Sequence, residues 1–303
     1  MRIRLNPIVK KDLTVTVRSM RMSWGLFAYE AALTVAFLLA LLVIQSASGY
    51  LGGGNVYTYL VYLFPVVAVA QVCIVALYMP IITASSISGE KERQTFDLML
   101  TTCMSPFSIV FGKVSSAVVR ILFFVAASLP IMSLSFVVGG LSWSNLFYYL
   151  LALILFSVFA GSIGILASSL CRKSVSAVLL SFAIYFVIYF ATLLPFLFAT
   201  FGANGKIGET LLILLFNPVI FFEEVFMQMM TGRSIFGSAG GAFYQSDVGF
   251  LTYTFAHGKI WMFLSAGCIL AMSFLFMALA AWQVNPLHSK SGRRRGKKNA
   301  QEQ

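Results

Sequence analysis

Six long runs of apolar residues decide what this chain can fold into. A helix needs about 20 residues to cross the hydrocarbon core of a bilayer, which is about 30 Å thick, because each residue adds about 1.5 Å. Hydrophobic residues occupy 59% of the 303 positions and charged residues only 10%, whereas a soluble domain carries about 25% charged residues. The sequence therefore predicts an all-α polytopic membrane protein with six transmembrane helices, at residues 24–44, 56–84, 114–138, 146–170, 175–201 and 260–282.

A seventh apolar run, 207–230, contains a proline and two adjacent glutamates, which a helix facing lipid would tolerate poorly. Lysine and arginine favour the cytoplasmic side of a membrane, and a seventh span would place the basic tail 290–298 outside. Six spans keep both termini in the cytoplasm and leave only three bases outside, at Lys206, Arg233 and Lys259. We therefore predict an external region at 202–258, in which 207–230 forms external helices or a re-entrant segment.

The polar residues of that seventh run carry a prediction of their own. Asn217 followed by Pro218 suits the start of a helix, because proline is favoured in the first turn. Phenylalanines flank the glutamate pair that follows, which is typical of an amphipathic helix. We therefore expect short external helices before the last span, with a candidate external gate formed by Asn217, Pro218, Phe222, Glu223 and Glu224.

Both ends of the chain are basic. Apolar residues recur at near-helical spacing within 3–21, which predicts an interfacial helix against anionic lipid headgroups, with an ordinary basic leader as the alternative. Residues 46–48 resemble a signal cleavage site, but the long segment before them, with Glu30 inside it, favours a retained first span. Residues 1–289 are expected to form a single transmembrane domain, and 290–303 a disordered cytoplasmic tail that is too polar to pack.

Residue types that carry covalent chemistry are sparse. Gly112-Lys113 is followed by Val114, so this stretch lacks the hydroxyl of a Walker-type phosphate loop. The two histidines, His257 and His288, are expected on opposite sides of the membrane, which excludes a two-histidine metal site. The four cysteines show neither disulfide nor metal-ligand spacing. We therefore expect no catalytic residues, metal or cofactor in this chain. The net charge of +11 lies at the ends and in short loops, so we expect no nucleic-acid partner either.

The connection between the second and third runs carries the most specific pattern. A charged core at 90–93 is followed by apolar residues that recur at helical spacing: Phe96, Met99, Leu100 and Cys103. This spacing predicts a short cytoplasmic helix with one apolar face. Outside the membrane core, such a helix needs lipid or a groove on a partner to bury that face.

This connection resembles the cytoplasmic loop of ABC transporter permeases of the type-2 membrane-domain family. The similar features are an acidic-basic core, a threonine-rich apolar stretch, a proline and a Gly-Lys pair, at residues 90–93, 95–102, 106 and 112–113. The chain departs from the family pattern at Gln94 and at 103–104, and neither departure removes the charged core or the apolar face. The six-span layout with a long outer region before the last span is also similar.

The resemblance implies the transmembrane subunit of an ATP-driven ABC exporter in a plasma membrane, of bacterial type. In this family the loop acts as a coupling helix in a groove of a separate cytosolic ATPase, which binds ATP and magnesium. Two permease subunits, identical or related, and two ATPases form the working unit. The residues that the resemblance places at the ATPase are Glu90, Lys91, Glu92, Arg93, Thr95, Phe96, Asp97, Met99, Leu100 and Cys103. A solvated loop whose bases only set the topology is the alternative.

Two charged residues fall inside predicted spans at similar depths from the cytoplasmic side, Glu30 in the first and Arg120 in the third. Intramembrane charges usually pair or line a wet cavity, so we hypothesise an ion pair between them, with snorkelling to the interface as the alternative. The fourth run has small residues three or four positions apart, which predicts close helix packing rather than contact with substrate: Ser157, Gly161, Gly164 and Ser168.

An ion-coupled transporter or channel that works without an ATPase is the alternative function. Such proteins tend to show internal repeats and several charges near the midplane of the membrane. This sequence shows no convincing repeat, and its two embedded charges are predicted near one face. An intramembrane enzyme would need convergent polar groups that the sequence lacks.

Overall fold

The computed structural model describes residues 19–50, 60–95, 105–139, 142–201, 212–232, 234–235 and 259–285. Within these ranges the chain is helical and has no strand. Its helices are α1 (Met20–Tyr50), α2 (Leu63–Glu92), α3 (Pro106–Gly139), α4 (Trp143–Leu170), α5 (Ser174–Phe201), α6 (Pro218–Thr231) and α7 (Ile260–Val284). The predicted interfacial helix before residue 19, the coupling-helix residues 96–104 and the tail 290–303 lie outside the described residues.

Six of these helices are long and apolar enough to cross a bilayer: α1, α2, α3, α4, α5 and α7. This finding confirms the predicted all-α fold with six membrane-spanning helices. The helices extend past the apolar runs that predicted them, most of all α2, which continues to Glu92, and α3, which already begins at Pro106. The extra turns include charged side chains such as Glu90 and Lys113, so the edge of an apolar run did not mark the end of the helix.

The helix ends fall into two groups at opposite ends of the bundle. At the first, named here the Glu90 end, α2 and α4 finish and α3 and α5 begin, and the last turns of α7 pack there as well. At the second, named the Trp143 end, α4 begins and α3 and α5 finish.

α4 is the central helix of the bundle. In its most apolar stretch 67% of the residues are buried inside the protein, against 22% to 39% in the other spanning helices. Tyr149, Phe156 and Phe159 are almost fully buried, and α2, α3, α5 and α7 all pack against this helix. α4 is therefore largely surrounded by the other helices of the bundle.

Small residues let α4 approach α2 closely. A methyl group added at Gly164 would lie 1.9 Å from the Thr83 side-chain oxygen and 3.2 Å from the backbone nitrogen of Ala84. A methyl group added at Gly161 would lie 3.0 Å from the end of the Met79 side chain. The stripe of small residues on α4 therefore serves helix packing, which confirms the prediction made for it.

One buried polar cluster joins four spanning helices. Gln71 of α2 is fully buried, and its side-chain nitrogen donates to the hydroxyls of Tyr29 on α1, at 2.8 Å, and Ser128 on α3, at 3.0 Å. Tyr149 of α4 donates its hydroxyl to the Gln71 side-chain oxygen at 2.8 Å. Every polar atom of the Gln71 side chain thus has a partner, so burying this amide in an apolar bundle costs little.

Gln71→Leu is expected to lower the free energy of unfolding by about 1 to 3 kcal/mol, because three buried hydroxyl groups would lose their shared partner. Thermal unfolding of the purified protein in detergent measures the change. Gln283→Leu is the matched control, since Gln283 is exposed on α7. Equal melting temperatures for the two variants would show that the cluster contributes nothing to stability.

Candidate functional site

The residues predicted to contact an ATPase are only partly described. Phe96, Asp97, Met99, Leu100 and Cys103 lie outside the described residues. The preceding residues, from the charged core to Thr95, lie at the Glu90 end. The geometry of the site is therefore built from the charged core and from what it contacts.

The charged core belongs to α2 and does not open a separate helix. α2 runs through Glu92, so residues 90–92 form its last turn. The helix stops two residues later, where Gln94 has a φ of 59°, a left-handed conformation common at helix ends. The Thr95 N–H then donates to the carbonyl of Glu90 at 3.0 Å. The loop that follows is thus attached directly to a spanning helix.

Glu90 forms an ion pair with the start of α3. The Lys113 ammonium donates to the Glu90 carboxylate at 2.7 Å, and the two side chains are 11% and 27% exposed. Buried Ile87, Val110 and Val114 pack together at the same end of the bundle. Lys113 is the lysine of the Gly-Lys pair noted in the sequence, so the structure joins two separate parts of that pattern. The ion pair ties α2 to α3.

Lys91 contacts the end of α4. Its ammonium donates to the backbone carbonyl of Ser169, and it lies 3.5 Å from the carbonyl of Cys171. The last carbonyls of a helix lack partners within the helix and carry partial negative charge. A lysine is therefore well suited to bind there, and it ties α2 to α4.

Glu92 contacts the start of α5. Its carboxylate accepts hydrogen bonds from the Ser174 hydroxyl at 2.9 Å and from the Ser174 N–H at 3.2 Å. An acidic group at the first residue of a helix satisfies a backbone donor and complements the positive end of the helix dipole. This contact ties α2 to α5.

Glu90, Lys91 and Glu92 together are named here the clasp. These three consecutive residues bind the ends of three different helices, α3, α4 and α5. The family resemblance assigned them to a surface for the ATPase, with a solvated loop as the alternative. It missed the contacts within the chain, and the spacing of charges in the sequence held no signal for them.

Other polar side chains at the Glu90 end remain exposed. Arg93, Gln94 and Thr95 follow the clasp, and Arg172 and Lys173 lie in the short turn between α4 and α5. All five are exposed, and three of them are basic. The accessible surface beside the clasp is therefore positively charged.

The hypothesised ion pair between Glu30 and Arg120 stays a hypothesis. One oxygen of Glu30 is buried without a partner. Tyr29, next to Glu30, packs on Phe124 and bonds to Ser128 of α3, and these contacts set the position of α1 along α3.

α6 packs into the bundle along the first half of α4. The side chain of Asn145, near the start of α4, donates to the carbonyl of Met229 near the end of α6, at 3.2 Å. Further along α4, Phe156 packs edge-on against Phe222, with ring centroids 5.3 Å apart. The two helices therefore run antiparallel, and the start of α6 lies deep in the bundle. The choice between external helices and a re-entrant segment stays a prediction.

Asn217 holds the deep end of α6. Its side-chain oxygen accepts from the N–H of Val219 at 2.9 Å, and Pro218 occupies the first turn, as the sequence predicted. The Asn217 amide also donates to the Thr192 hydroxyl of α5 at 2.8 Å. A helix start buried in the bundle has its donors satisfied in this way and is fixed to a spanning helix.

The two adjacent glutamates of α6 have different environments. Glu224 is fully buried, and its carboxylate accepts hydrogen bonds from the side chains of Gln228 and Ser234 and from the N–H of Ile235. Glu223 is exposed. Glu224 therefore fixes the end of α6 to the chain that follows, and only Glu223 is available to bind another molecule.

No group of three or more histidine, cysteine, aspartate or glutamate side chains that could hold a metal occurs in the described ranges. No curated protein matches the chain by sequence. The family model described as "ABC-2 family transporter protein" matches residues 42–282, well over half of the chain. That match includes the clasp, α6, four complete spanning helices and all but the last two residues of α7. The chain therefore belongs to the ABC-2 transporter family, whose members are non-catalytic membrane permeases of ABC transporters and generally work with an ATPase subunit.

Proposed function

We propose that this chain is the permease subunit of an ATP-driven exporter and that a separate cytosolic ATPase docks on the 88–105 loop. Two permease subunits, identical or related, would enclose the transport path in a bacterial plasma membrane. The Glu90 end and both termini would face the cytoplasm, as the distribution of bases in the sequence indicates. ATP and magnesium would bind to the ATPase.

The observation that carries this proposal is the clasp. A loop that only connected two spans would need no contact with other helices, yet its first residues bind the ends of α3, α4 and α5. A displacement of the loop would therefore be transmitted to four spanning helices at once: α2, α3, α5 and the central α4. Sets of packed and hydrogen-bonded side chains of this kind can carry coupling between distant sites.

The contacts of the clasp also separate the predicted docking residues into two groups. Glu90, Lys91 and Glu92 are committed to contacts within the chain, so they act as positioning residues. Contact with the ATPase falls to Arg93, Thr95 and the apolar residues of 96–103. Exposed bases beside the clasp favour an acidic rim around the groove of the ATPase, because complementary charge steers association.

α6 is the element that would gate the exit at the Trp143 end. Asn217 and Glu224 fix its two ends, and Phe222 packs on α4. A movement of α4 would therefore carry α6 with it. Glu223 is the exposed charge of this helix and would face the aqueous exit, since a carboxylate facing lipid is costly.

Arg93→Glu combined with Phe96→Ala is expected to reduce ATPase co-purification at least about tenfold, because it reverses the charge and removes an apolar anchor. The measurement is affinity purification of the tagged chain in mild detergent from cells that also express the ATPase. The amount of chain in the membrane should stay unchanged.

The matched control for this test is Glu223→Gln, which removes an exposed charge at the opposite end of the bundle. It should leave ATPase binding as in the wild type. If the wild-type chain purifies alone and transports without ATP, the chain is an ion-coupled transporter or channel and the proposal is wrong.

A further inference from the structure

The part of α2 from Pro80 onward is built differently from the rest of the helix. Pro80 lies inside it, and because proline has no N–H the carbonyl of Ala76 loses its helical partner. The stretch ends with Ser88 and Gly89, immediately before the clasp. Prolines and glycine–serine pairs are two of the recognised causes of helix kinks. Both occur here within ten residues.

Hydroxyl groups in this stretch bond back to carbonyl groups of the same helix. Each does so about one turn earlier along the chain, with Thr83 donating to Met79 at 2.8 Å, Ser85 to Ile81 at 3.1 Å and Ser88 to Ala84 at 2.6 Å. A side chain that competes for helix carbonyls in this way weakens the backbone ladder and often bends the helix. The ladder is therefore weakened repeatedly between the proline and the clasp.

A side chain from α4 inserts beside the same ladder. The Ser168 hydroxyl accepts hydrogen bonds from two consecutive backbone N–H groups of α2, Ile87 at 2.9 Å and Ser88 at 2.8 Å. Ser168 is fully buried, and Gly164 one turn earlier lets the two helices come close enough for this contact. Insertion of a side chain into the ladder is a third recognised cause of a kink.

We propose that residues 80–89 of α2 form a joint and that Ser168 is the positioning residue that holds it open. When the ladder opens, the N–H groups of Ile87 and Ser88 keep a partner in Ser168. When it closes, they return to the carbonyls of their own helix. Each state leaves these donors bonded, so neither is heavily penalised, and such a stretch can switch between two shapes.

The position of the joint suits it to absorb movement within α2. The apolar part of α2 lies on one side of it, and the clasp, bound to α3, α4 and α5, lies on the other. A displacement of the Glu90 end would be absorbed at residues 80–89 instead of straining the buried cluster at Gln71. This inference rests on the proposed function in one respect only: the bound ATPase would supply the force that moves the joint.

Hydrogen–deuterium exchange of the full-length chain in lipid nanodiscs tests the joint. Ser168→Ala should speed exchange of the amides in 85–89 about threefold to tenfold, because these amides then have no partner each time the ladder opens. Pro80→Ala should slow exchange in this stretch, because it restores the missing N–H. Ser162→Ala is the matched control, since Ser162 is also buried on α4 but donates only to Phe159 of its own helix.

An unchanged exchange rate at 85–89 in Ser168→Ala, or a change as large in Ser162→Ala, would overturn the joint. A second arm uses the transporter assembled with its ATPase. Trapping with ATP and vanadate should change exchange at 85–89 in the wild type and change it less in Ser168→Ala. Equal responses in both proteins would remove Ser168 from the mechanism. Failure of any ATPase to bind would contradict the proposed function and leave the first arm intact.

Discussion

Gly164→Ala is expected to lower the free energy of unfolding by about 3 kcal/mol, the upper part of the usual range for overpacking. The added methyl group would lie 1.9 Å from the Thr83 oxygen and 3.2 Å from the backbone nitrogen of Ala84. Thr83 is fully packed, and the nitrogen cannot move unless α2 moves. α2 and α4 would have to separate where α4 packs against the proposed joint. Thermal unfolding of the purified protein in detergent measures the loss.

The same substitution elsewhere in the bundle provides the control. Gly267 is on α7, and a methyl group added there meets nothing within 4 Å. Gly267→Ala should therefore leave stability unchanged or raise it slightly, because alanine is the better helix former. Adding Thr83→Ala to Gly164→Ala removes the nearest clashing atom and should recover much of the lost stability. Without such recovery, the clash between these two residues would not be the cause.

The spans could be predicted from sequence because bilayer thickness imposes a length and a polarity on each helix. That constraint acts on every residue of a span, so runs such as 146–170 are recognisable without any other information. The packing stripe on α4 was also predictable, since small residues in a membrane helix have few other uses. What each helix contacts was not predictable, because that depends on how far each helix is shifted along its axis.

Glu30 and Arg120 illustrate that dependence. Counted from the starts of their apolar runs, the two residues seemed to share one depth. The position of α1 along α3 is set by Tyr29, whose hydroxyl reaches Ser128 and whose ring packs on Phe124. Side-chain packing between helices determines this register, and the residue pattern of a single helix does not predict it.

The clasp shows the same limit at the Glu90 end. Its charges were recognisable as a motif, and Lys113 was noted as part of the same family pattern. That the two belong to one ion pair follows only from the fold, since 22 residues lie between them in the sequence. A charge run beside a loop can equally face water or a partner, and sequence does not distinguish these from a contact within the chain.

Lys113→Glu is expected to abolish the stimulation of ATP hydrolysis by the permease in the assembled transporter, with a loss of at least about tenfold. The substitution places two carboxylates where an ion pair spans 2.7 Å. The pair is half-buried, so its disruption should cost about 1 to 2 kcal/mol, between the values for exposed and buried pairs. A change of that size releases the end of α2 from α3 while the bundle stays folded. ATP hydrolysis by the complex reconstituted in vesicles measures the loss.

Exchanging the charges of Glu90 and Lys113 distinguishes two roles for Glu90, which are positioning the loop and binding the ATPase directly. Adding Glu90→Lys to Lys113→Glu recreates the pair in reverse, so a clasp that only positions the loop should regain most of the stimulation. If Glu90 bound the ATPase directly, the swap would present the wrong charge to the partner and activity would stay lost. Gln283→Glu, which adds an exposed carboxylate on α7 at the same end of the bundle, is the control and should leave stimulation within about twofold of wild type. Recovery in the swap, together with a silent control, would establish that the clasp acts inside the permease and that docking lies beyond it, from Arg93 onward.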